Sequence, residues 1–177
     1  YVTVPYISEY TTSNKVYQIS AIDYSLLNTF EVINGPGDMA ILNNELFIAS
    51  TYYGSDFSKI TGISKIKLDD TKLVVLGETQ LSTQDLNLGT DLLIVNDNIY
   101  RSSSNGVHLV NNDLSITNNT LLSNNNIYSA YANNDHIYIG TSDYISPDTV
   151  YVYNLNGQEI NSFIVGAIPG DFISTKN

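Results

Sequence analysis

Hydrophobic and polar residues alternate along most of the chain in short runs. The clearest runs are rich in β-branched and aromatic residues and occupy residues 15–19, 45–48, 65–68, 136–139 and 150–153. Alternation with a period of two is typical of a strand that buries one face. Asn, Asp and Gly separate the runs, and Asn156-Gly157 lies between two of them as in a tight hairpin. The pattern predicts an all-β fold.

The alternating segments belong to an internal repeat. Residues 37–48 align with residues 90–100 and 128–139, and each copy reads as a strand, an Asn/Asp turn and a second strand. A fourth copy is split: residues 170–177 match residues 37–44 without a gap, and residues 1–4 then fall where residues 45–48 stand. The chain therefore consists of four units of about 44 residues, close to the period of a four-stranded propeller blade.

The repeat predicts a β-propeller of four blades with one blade shared between the two ends of the chain. The predicted blades are residues 171–177 plus 1–35, then 36–88, 89–126 and 127–169, all in a single domain of residues 1–177. Residues 171–176 are expected to form the innermost strand of the shared blade, beside the strand at residues 1–8. We expect this pairing to close one molecule, and strand exchange between molecules is the alternative. The alternative folds are part of a larger propeller and a β-sandwich.

The repeat resembles a known family. Three segments look like YVTN-type and related surface-layer β-propeller repeats. They are Pro36-Gly37-Asp38 before an apolar strand, the Asn43-Asn44 turn, and the segment Val150-Tyr151-Val152-Tyr153-Asn154-Leu155-Asn156-Gly157. The resemblance covers the whole chain. It implies a β-propeller fold and an extracellular or cell-surface location.

Charge and composition exclude several classes of partner. Seven Lys and Arg stand against eighteen Asp and Glu, so the net charge is −11. A chain this acidic lacks the basic face that nucleic acids and anionic membranes require. It has no cysteine, and no apolar run approaches the length of a membrane span. Two histidines, His108 and His136, lie between apolar strand residues and are expected to be structural.

Motifs of catalysis are missing from the sequence, which has no nucleophile elbow, zinc motif, phosphate loop or dinucleotide fingerprint. We therefore predict a non-enzymatic module with no catalytic residue and no required cofactor. Asp38, Asp91 and Asp171 occupy one repeat position at the start of an innermost strand. Three carboxylates converging on an axis would hold Ca²⁺ or another cation. The alternative is that each carboxylate accepts backbone N–H groups and braces the neighbouring blade.

Tyrosines supply the candidate ligand-binding residues. Tyr52 and Tyr53 follow a second strand, where loops emerge on one rim, and Tyr144 lies in the equivalent loop of its own unit. Exposed tyrosines beside Asn and Asp would stack on a glycan or contact a protein partner. Packing between blades is the alternative.

Three functions remain open at this point. The first is a secreted or cell-surface module for binding or assembly, the second a lectin-like propeller, and the third a fragment of a larger propeller hydrolase or lactonase.

Overall fold

Fifteen antiparallel strands make up the regular structure of the part of the chain that the structure describes. The computed structural model describes residues 1–9, 11–68, 74–82 and 88–175, and the described residues contain strands and turns but no helix. No helix that could cross a membrane is therefore present in this part of the chain. The strands are divided between two units, Tyr1–Thr83 and Gln84–Asn177.

The first unit contains two sheets in which consecutive strands are neighbours. The first sheet has three strands, β1 (Val2–Ser8), β2 (Thr11–Ile19) and β3 (Leu26–Glu31). The second sheet has four strands, β4 (Pro36–Leu42), β5 (Glu45–Tyr53), β6 (Lys59–Lys67) and β7 (Val74–Ser82). A buried cluster joins the two sheets: Val16, Phe30 and Val32 from the first meet Leu46, Ile48 and Ile66 from the second.

The second unit also contains two sheets, each of four strands. The third sheet consists of β8 (Leu88–Val95), β9 (Asn98–Ser103), β10 (Gly106–Val110) and β11 (Ile116–Ser123). The fourth sheet consists of β12 (Ile127–Ala132), β13 (His136–Thr141), β14 (Thr149–Asn154) and β15 (Glu159–Ile164). Their shared core contains the buried residues Leu93, Val95, Val107 and Leu122 from the third sheet and Ile137, Ile139 and Tyr153 from the fourth.

Tight turns between strands produce this up-and-down order. Asn43 and Asn44 connect β4 to β5 with φ of 51° and 62°, and Asn96 and Asp97 connect β8 to β9 with φ of 49° and 57°. Asn and Asp adopt this left-handed conformation more readily than other side chains. Gly157, with φ of 76°, forms the predicted hairpin between β14 and β15. Each sheet is an up-and-down antiparallel sheet of the kind that forms a propeller blade, so the predicted all-β fold with a succession of blade-like sheets is confirmed.

The C-terminal segment differs from the prediction. Residues 165–175 contain no strand, and the first sheet has three strands. The predicted innermost strand is therefore wrong for residues 171–175, and Lys176 lies outside the described residues. The physical reason is local packing: Phe172 stacks on Tyr131 with ring centroids 6.4 Å apart. The Ser129 hydroxyl also donates to the carbonyl of Pro169. These contacts hold the segment against the fourth sheet.

Candidate functional site

A polar cleft of about 330 Å³ lies at one end of the fourth sheet. Its walls come from the β11–β12 connection, the end of β13, the β13–β14 loop and the start of β14. The lining residues are mostly amides, hydroxyls and carboxylates: Asn124, Asn125, Asn126, Thr141, Ser142, Asp143, Pro147, Asp148, Thr149 and Tyr151. A cleft lined in this way offers many hydrogen-bond donors and acceptors, and it suits a polar ligand.

The β13–β14 loop is held in shape by its own side chains. The Asp143 carboxylate accepts the N–H groups of Ile145 at 2.9 Å and Ser146 at 2.8 Å. The Ser142 hydroxyl accepts the N–H of Tyr144 at 2.9 Å, and Tyr144 adopts a left-handed φ of 65°. Short Ser and Asp side chains favour such turns because they bond to backbone groups one to three residues ahead. These hydrogen bonds within the loop define its conformation.

Asp148 anchors the floor of the cleft to the C-terminal segment. It is buried, with 6% of its surface exposed. Its carboxylate accepts the N–H of Asp143 at 3.2 Å and the N–H of Ile168 at 2.6 Å. Burial raises the pKa of Asp148, but hydrogen bonds from Ile168, Ser142 and Asp143 outweigh it, so the pKa lies below its usual value. A charged carboxylate therefore stays at the base of the cleft at neutral pH.

Two aromatic rings adjoin residues of the cleft wall in the sequence: Tyr144 follows Asp143 in the β13–β14 loop, and Tyr128 lies at the start of β12, two residues after Asn126. Tyr144 is 67% exposed and Tyr128 is 41% exposed. Their ring centroids are 5.7 Å apart at an interplanar angle of 86°, an edge-to-face contact. The pair therefore presents an aromatic surface to solvent next to hydrogen-bonding groups. Of the three tyrosines predicted from the sequence, Tyr144 is the one that lies beside this cleft.

The other two predicted tyrosines lie in the first unit. Tyr52 and Tyr53 are the last residues of β5, paired with Ile60 and Lys59 of β6, rather than members of a loop after the strand. Tyr53 is 59% exposed, whereas Tyr52 is partly buried. Their place within a strand corrects the expected loop position, and the reason is that β5 pairs with β6 along its full length.

The three predicted carboxylates have separate environments. Asp91 accepts the N–H of Ala130 on β12 at 3.0 Å and the hydroxyl of Ser102 on β9 at 3.3 Å, so it braces the neighbouring sheet. Asp38 accepts the N–H of Met39 at 2.8 Å, and Asp171 accepts the N–H of Phe172 at 2.7 Å. Among residues that the structure describes, no group of three or more His, Cys, Asp and Glu side chains is placed to hold a metal ion.

Sequence reasoning missed a buried polar cluster in the third sheet. Arg101, the single arginine of the chain, is completely buried on β9, and its Nε donates to the carbonyl of Gly89 at 2.9 Å. Burial lowers the pKa of Arg101 to about 10, and the negative charge of Asp91 opposes this change. One signal was present in the sequence: Arg101 occupies the repeat position of the apolar residues Ile48 and Ile139.

A serine and a histidine also meet in the interior of this sheet. Ser103 Oγ lies 2.8 Å from His108 Nε2, and His108 Nδ1 lies 3.3 Å from the carbonyl oxygen of Thr117. Ser103 is 1% exposed and His108 is 2% exposed, so solvent does not reach the pair. Burial lowers the pKa of His108, which favours the neutral ring. The pair connects β9, β10 and β11 and serves the structural role expected for His108.

The chain is similar in structure to a β-propeller domain of known structure. No family model matches the chain, and no curated protein matches it. The β-propeller domain of the Trilobed protease from Pyrococcus furiosus, reported to have an open velcro topology, is similar with a TM-score of 0.47 and 15% identity. The similarity covers 74% of this chain and 43% of that chain. This chain thus matches less than half the length of that protein.

Proposed function

We propose that this chain is a non-enzymatic binding module of the extracellular space or cell surface, and that the cleft of the fourth sheet binds a saccharide. The observation that carries the proposal is an exposed tyrosine pair, Tyr128 and Tyr144, of which Tyr144 belongs to the same β13–β14 loop that lines a cleft of amides and hydroxyls. Sugars present hydroxyl groups at their edges and C–H groups on their faces. Amides and carboxylates pair with the hydroxyls, and an aromatic ring covers the C–H face.

The order of the loop adds support. Asp143 and Ser142 hold the β13–β14 loop through hydrogen bonds to its own backbone. A preformed loop loses little conformational freedom on binding, and weak polar contacts then contribute more of their energy to affinity. The net charge of −11 favours a neutral or cationic ligand over a sulfated or phosphorylated one.

The proposed cellular location is supported by the resemblance of residues 150–157 to surface-layer repeats. A composition with 14 tyrosines is also compatible with an exposed environment. The proposed module needs no metal or cofactor, because amides, hydroxyls and aromatic rings are sufficient for recognising a neutral sugar.

Binding to a panel of neutral and charged glycans tests this proposal. We expect at least one neutral glycan to bind, and Tyr144→Ala to weaken it by roughly 3–10-fold, the loss of one aromatic contact. Tyr53→Ala is the matched control, since it removes an equally exposed tyrosine from the first unit, and it is expected to leave the affinity unchanged. A panel without any binder, or equal affinities for the parent chain and Tyr144→Ala, would contradict the proposal. If the same cleft bound a protein and no glycan, the ligand of the cleft would be a protein partner and the saccharide proposal would be wrong.

A further inference from the structure

The first sheet is the only one of the four described sheets with three strands, and the missing strand is the innermost. In the repeat, β1 corresponds to β5, β9 and β13. Each of these three has an innermost strand on one side and a third strand on the other, whereas β1 is paired with β2 and lies at the edge of its sheet. The backbone N–H and C=O groups on the outer side of an edge strand are a template for another strand.

Exposure shows what the missing strand would cover. Val2 on β1 is 44% exposed, whereas the residues at the same repeat position, Leu46, Ile99 and Ile137, are 1%, 4% and 0% exposed. Tyr6 and Ile7, further along β1, are 49% and 70% exposed. An apolar strand with an open edge is normally paired or protected.

The same chain carries a segment with the sequence of an innermost strand. Residues 170–175, Gly-Asp-Phe-Ile-Ser-Thr, match residues 37–42, Gly-Asp-Met-Ala-Ile-Leu, at the start of the repeat. In the structure these residues form no strand, and Ile173 is 88% exposed. We propose that β1 of one molecule pairs with residues 172–175 of a second copy of this chain, which completes the first sheet by strand addition.

The register of this pairing follows from the complete sheets. In the second sheet, four consecutive residue pairs join β4 to β5, from Leu42 opposite Glu45 to Met39 opposite Ile48. The third sheet has the four equivalent pairs between β8 and β9. Transferred to the proposed contact, this register pairs Thr175 with Tyr1, Ser174 with Val2, Ile173 with Thr3, and Phe172 with Val4. The contact is antiparallel and short.

Pro5 is compatible with this register. In the second and third sheets the register shifts after the fourth pair, and the run of directly opposed residues ends before Ala49 and Ser102. Pro5 occupies the same repeat position. A proline lacks the N–H that a continuous ladder of hydrogen bonds needs. Because the ladder is interrupted at this repeat position in the complete sheets, a proline at residue 5 does not prevent the proposed pairing.

Charge is also compatible with a second copy as the occupant. Two molecules that each carry a net charge of −11 repel, so a stable contact has to lie where few acidic groups meet. Asp171 is the only charged side chain among residues 1–4 and 170–175. Backbone pairing at this place brings no like charges face to face.

Light scattering over a range of concentrations is the first test. We expect the mass to rise from about 19.5 kDa toward a multiple of it with increasing concentration. Ile173→Pro removes one N–H from the added strand and is expected to keep the single-chain mass at every concentration. Ile173→Val, which preserves strand pairing, is the matched control and should associate like the parent. Because residue 173 is exposed and outside any strand, circular dichroism of both variants should match the parent. A parent chain that keeps the single-chain mass throughout would overturn the proposal.

Disulfide trapping distinguishes a second copy from pairing within one molecule. The chain has no cysteine, so Thr3→Cys and Ile173→Cys each introduce a single thiol. Directly opposed residues on antiparallel strands lie close enough for a disulfide. Mixing the two single variants under mild oxidation should give a mixed dimer in several-fold higher yield than mixing Thr3→Cys with Ile164→Cys, an equally accessible control. Equal yields would contradict the proposed register. A double variant, Thr3→Cys with Ile173→Cys, that links only within one chain would overturn the second copy as the occupant.

Discussion

The first and third sheets contain similar hairpins in very different states of burial. β1 has the sequence Val-Thr-Val-Pro-Tyr-Ile-Ser and is mostly exposed, whereas β9, with the more polar sequence Asn-Ile-Tyr-Arg-Ser-Ser, is mostly buried. The difference lies in the neighbours, since β9 lies between β8 and β10 and β1 has a partner on one side. Burial in a blade therefore depends on the innermost strand more than on the hydrophobicity of the strand that it covers.

The third sheet can bury polar side chains because they are hydrogen-bonded. Arg101 donates to the carbonyl of Gly89, and Ser103 contacts His108. Among the described residues, Thr61 Oγ1 in the second sheet is the sole buried side-chain polar atom without a hydrogen-bond partner. Paired polar groups cost little to bury, and they become expensive when one partner is removed. The comparison thus predicts large effects in the third sheet and small effects in the first.

Arg101→Ala is expected to have the largest effect on stability. It removes a buried guanidinium, leaves the Gly89 carbonyl without this donor and takes a compensating positive charge away from Asp91. We expect a loss of about 3–5 kcal/mol in the free energy of unfolding, measured by chemical denaturation. Arg101→Met keeps most of the packed volume and should lose less. Equal losses in the two variants would show that the charge and its hydrogen bonds, and not packing, account for the role of Arg101, and a negligible loss in Arg101→Met would show the reverse.

The next prediction compares one repeat position in two sheets. Leu46 on β5 is 1% exposed and Val2 on β1 is 44% exposed, although the repeat makes them equivalent. Leu46→Ala should lower the free energy of unfolding by about 2–5 kcal/mol, because it leaves a cavity in the core shared with Val16 and Ile66. Val2→Ala should change it by no more than about 0.5 kcal/mol in dilute solution.

Concentration sharpens this second comparison. If a second copy covers β1, the cost of Val2→Ala grows with protein concentration, because association stabilises the folded chain by mass action. Leu46→Ala has no such dependence on concentration. A cost of Val2→Ala above about 2 kcal/mol in dilute solution would mean that β1 is covered within a single chain.

The sequence was sufficient to predict the features that depend on local chemistry. The repeat predicted the succession of sheets, and the Asn-Asn, Asn-Asp and Asn-Gly pairs predicted turns that adopt positive φ at Asn43, Asn96 and Gly157. These features arise within a few residues, where side-chain size and backbone preference decide the conformation. The all-β architecture followed from them.

Features that depend on distant residues could not be predicted in the same way. Residues 171–175 have the composition of a strand, but Phe172 stacks on Tyr131 and makes a tilted contact with Tyr138, and no local rule reveals these contacts. The cleft likewise combines residues near positions 125, 142 and 150. The loop position of Tyr144 could be predicted from the sequence, whereas Asp148 acquires its structural role from an N–H twenty residues away.

The smallest expected effect is a pH dependence in the third sheet that the first sheet lacks. His108 is buried, and burial lowers its pKa from 6.5. The unfolded chain therefore binds a proton at His108 more readily than the folded chain does. The stability that His108 contributes is fully present above about pH 7 and is lost progressively as the pH falls through 6.5 toward the folded-state pKa. The slope cannot exceed about 1.4 kcal/mol per pH unit, the value for one proton.

His108→Gln isolates this contribution. Glutamine retains an amide that can bond to Ser103 or Thr117, but it does not titrate. We expect the difference in unfolding free energy between the parent and His108→Gln to shrink steadily between about pH 7.5 and pH 5, as urea denaturation at each pH would measure. Carboxylates such as Asp113, whose pKa is lowered from 3.8 by hydrogen bonds from Ser115, lose their contribution only at lower pH and do not interfere. A difference in unfolding free energy that stays constant from pH 7.5 to pH 5 would contradict this prediction. It would mean that His108 takes up a proton as readily in the folded chain as in the unfolded chain.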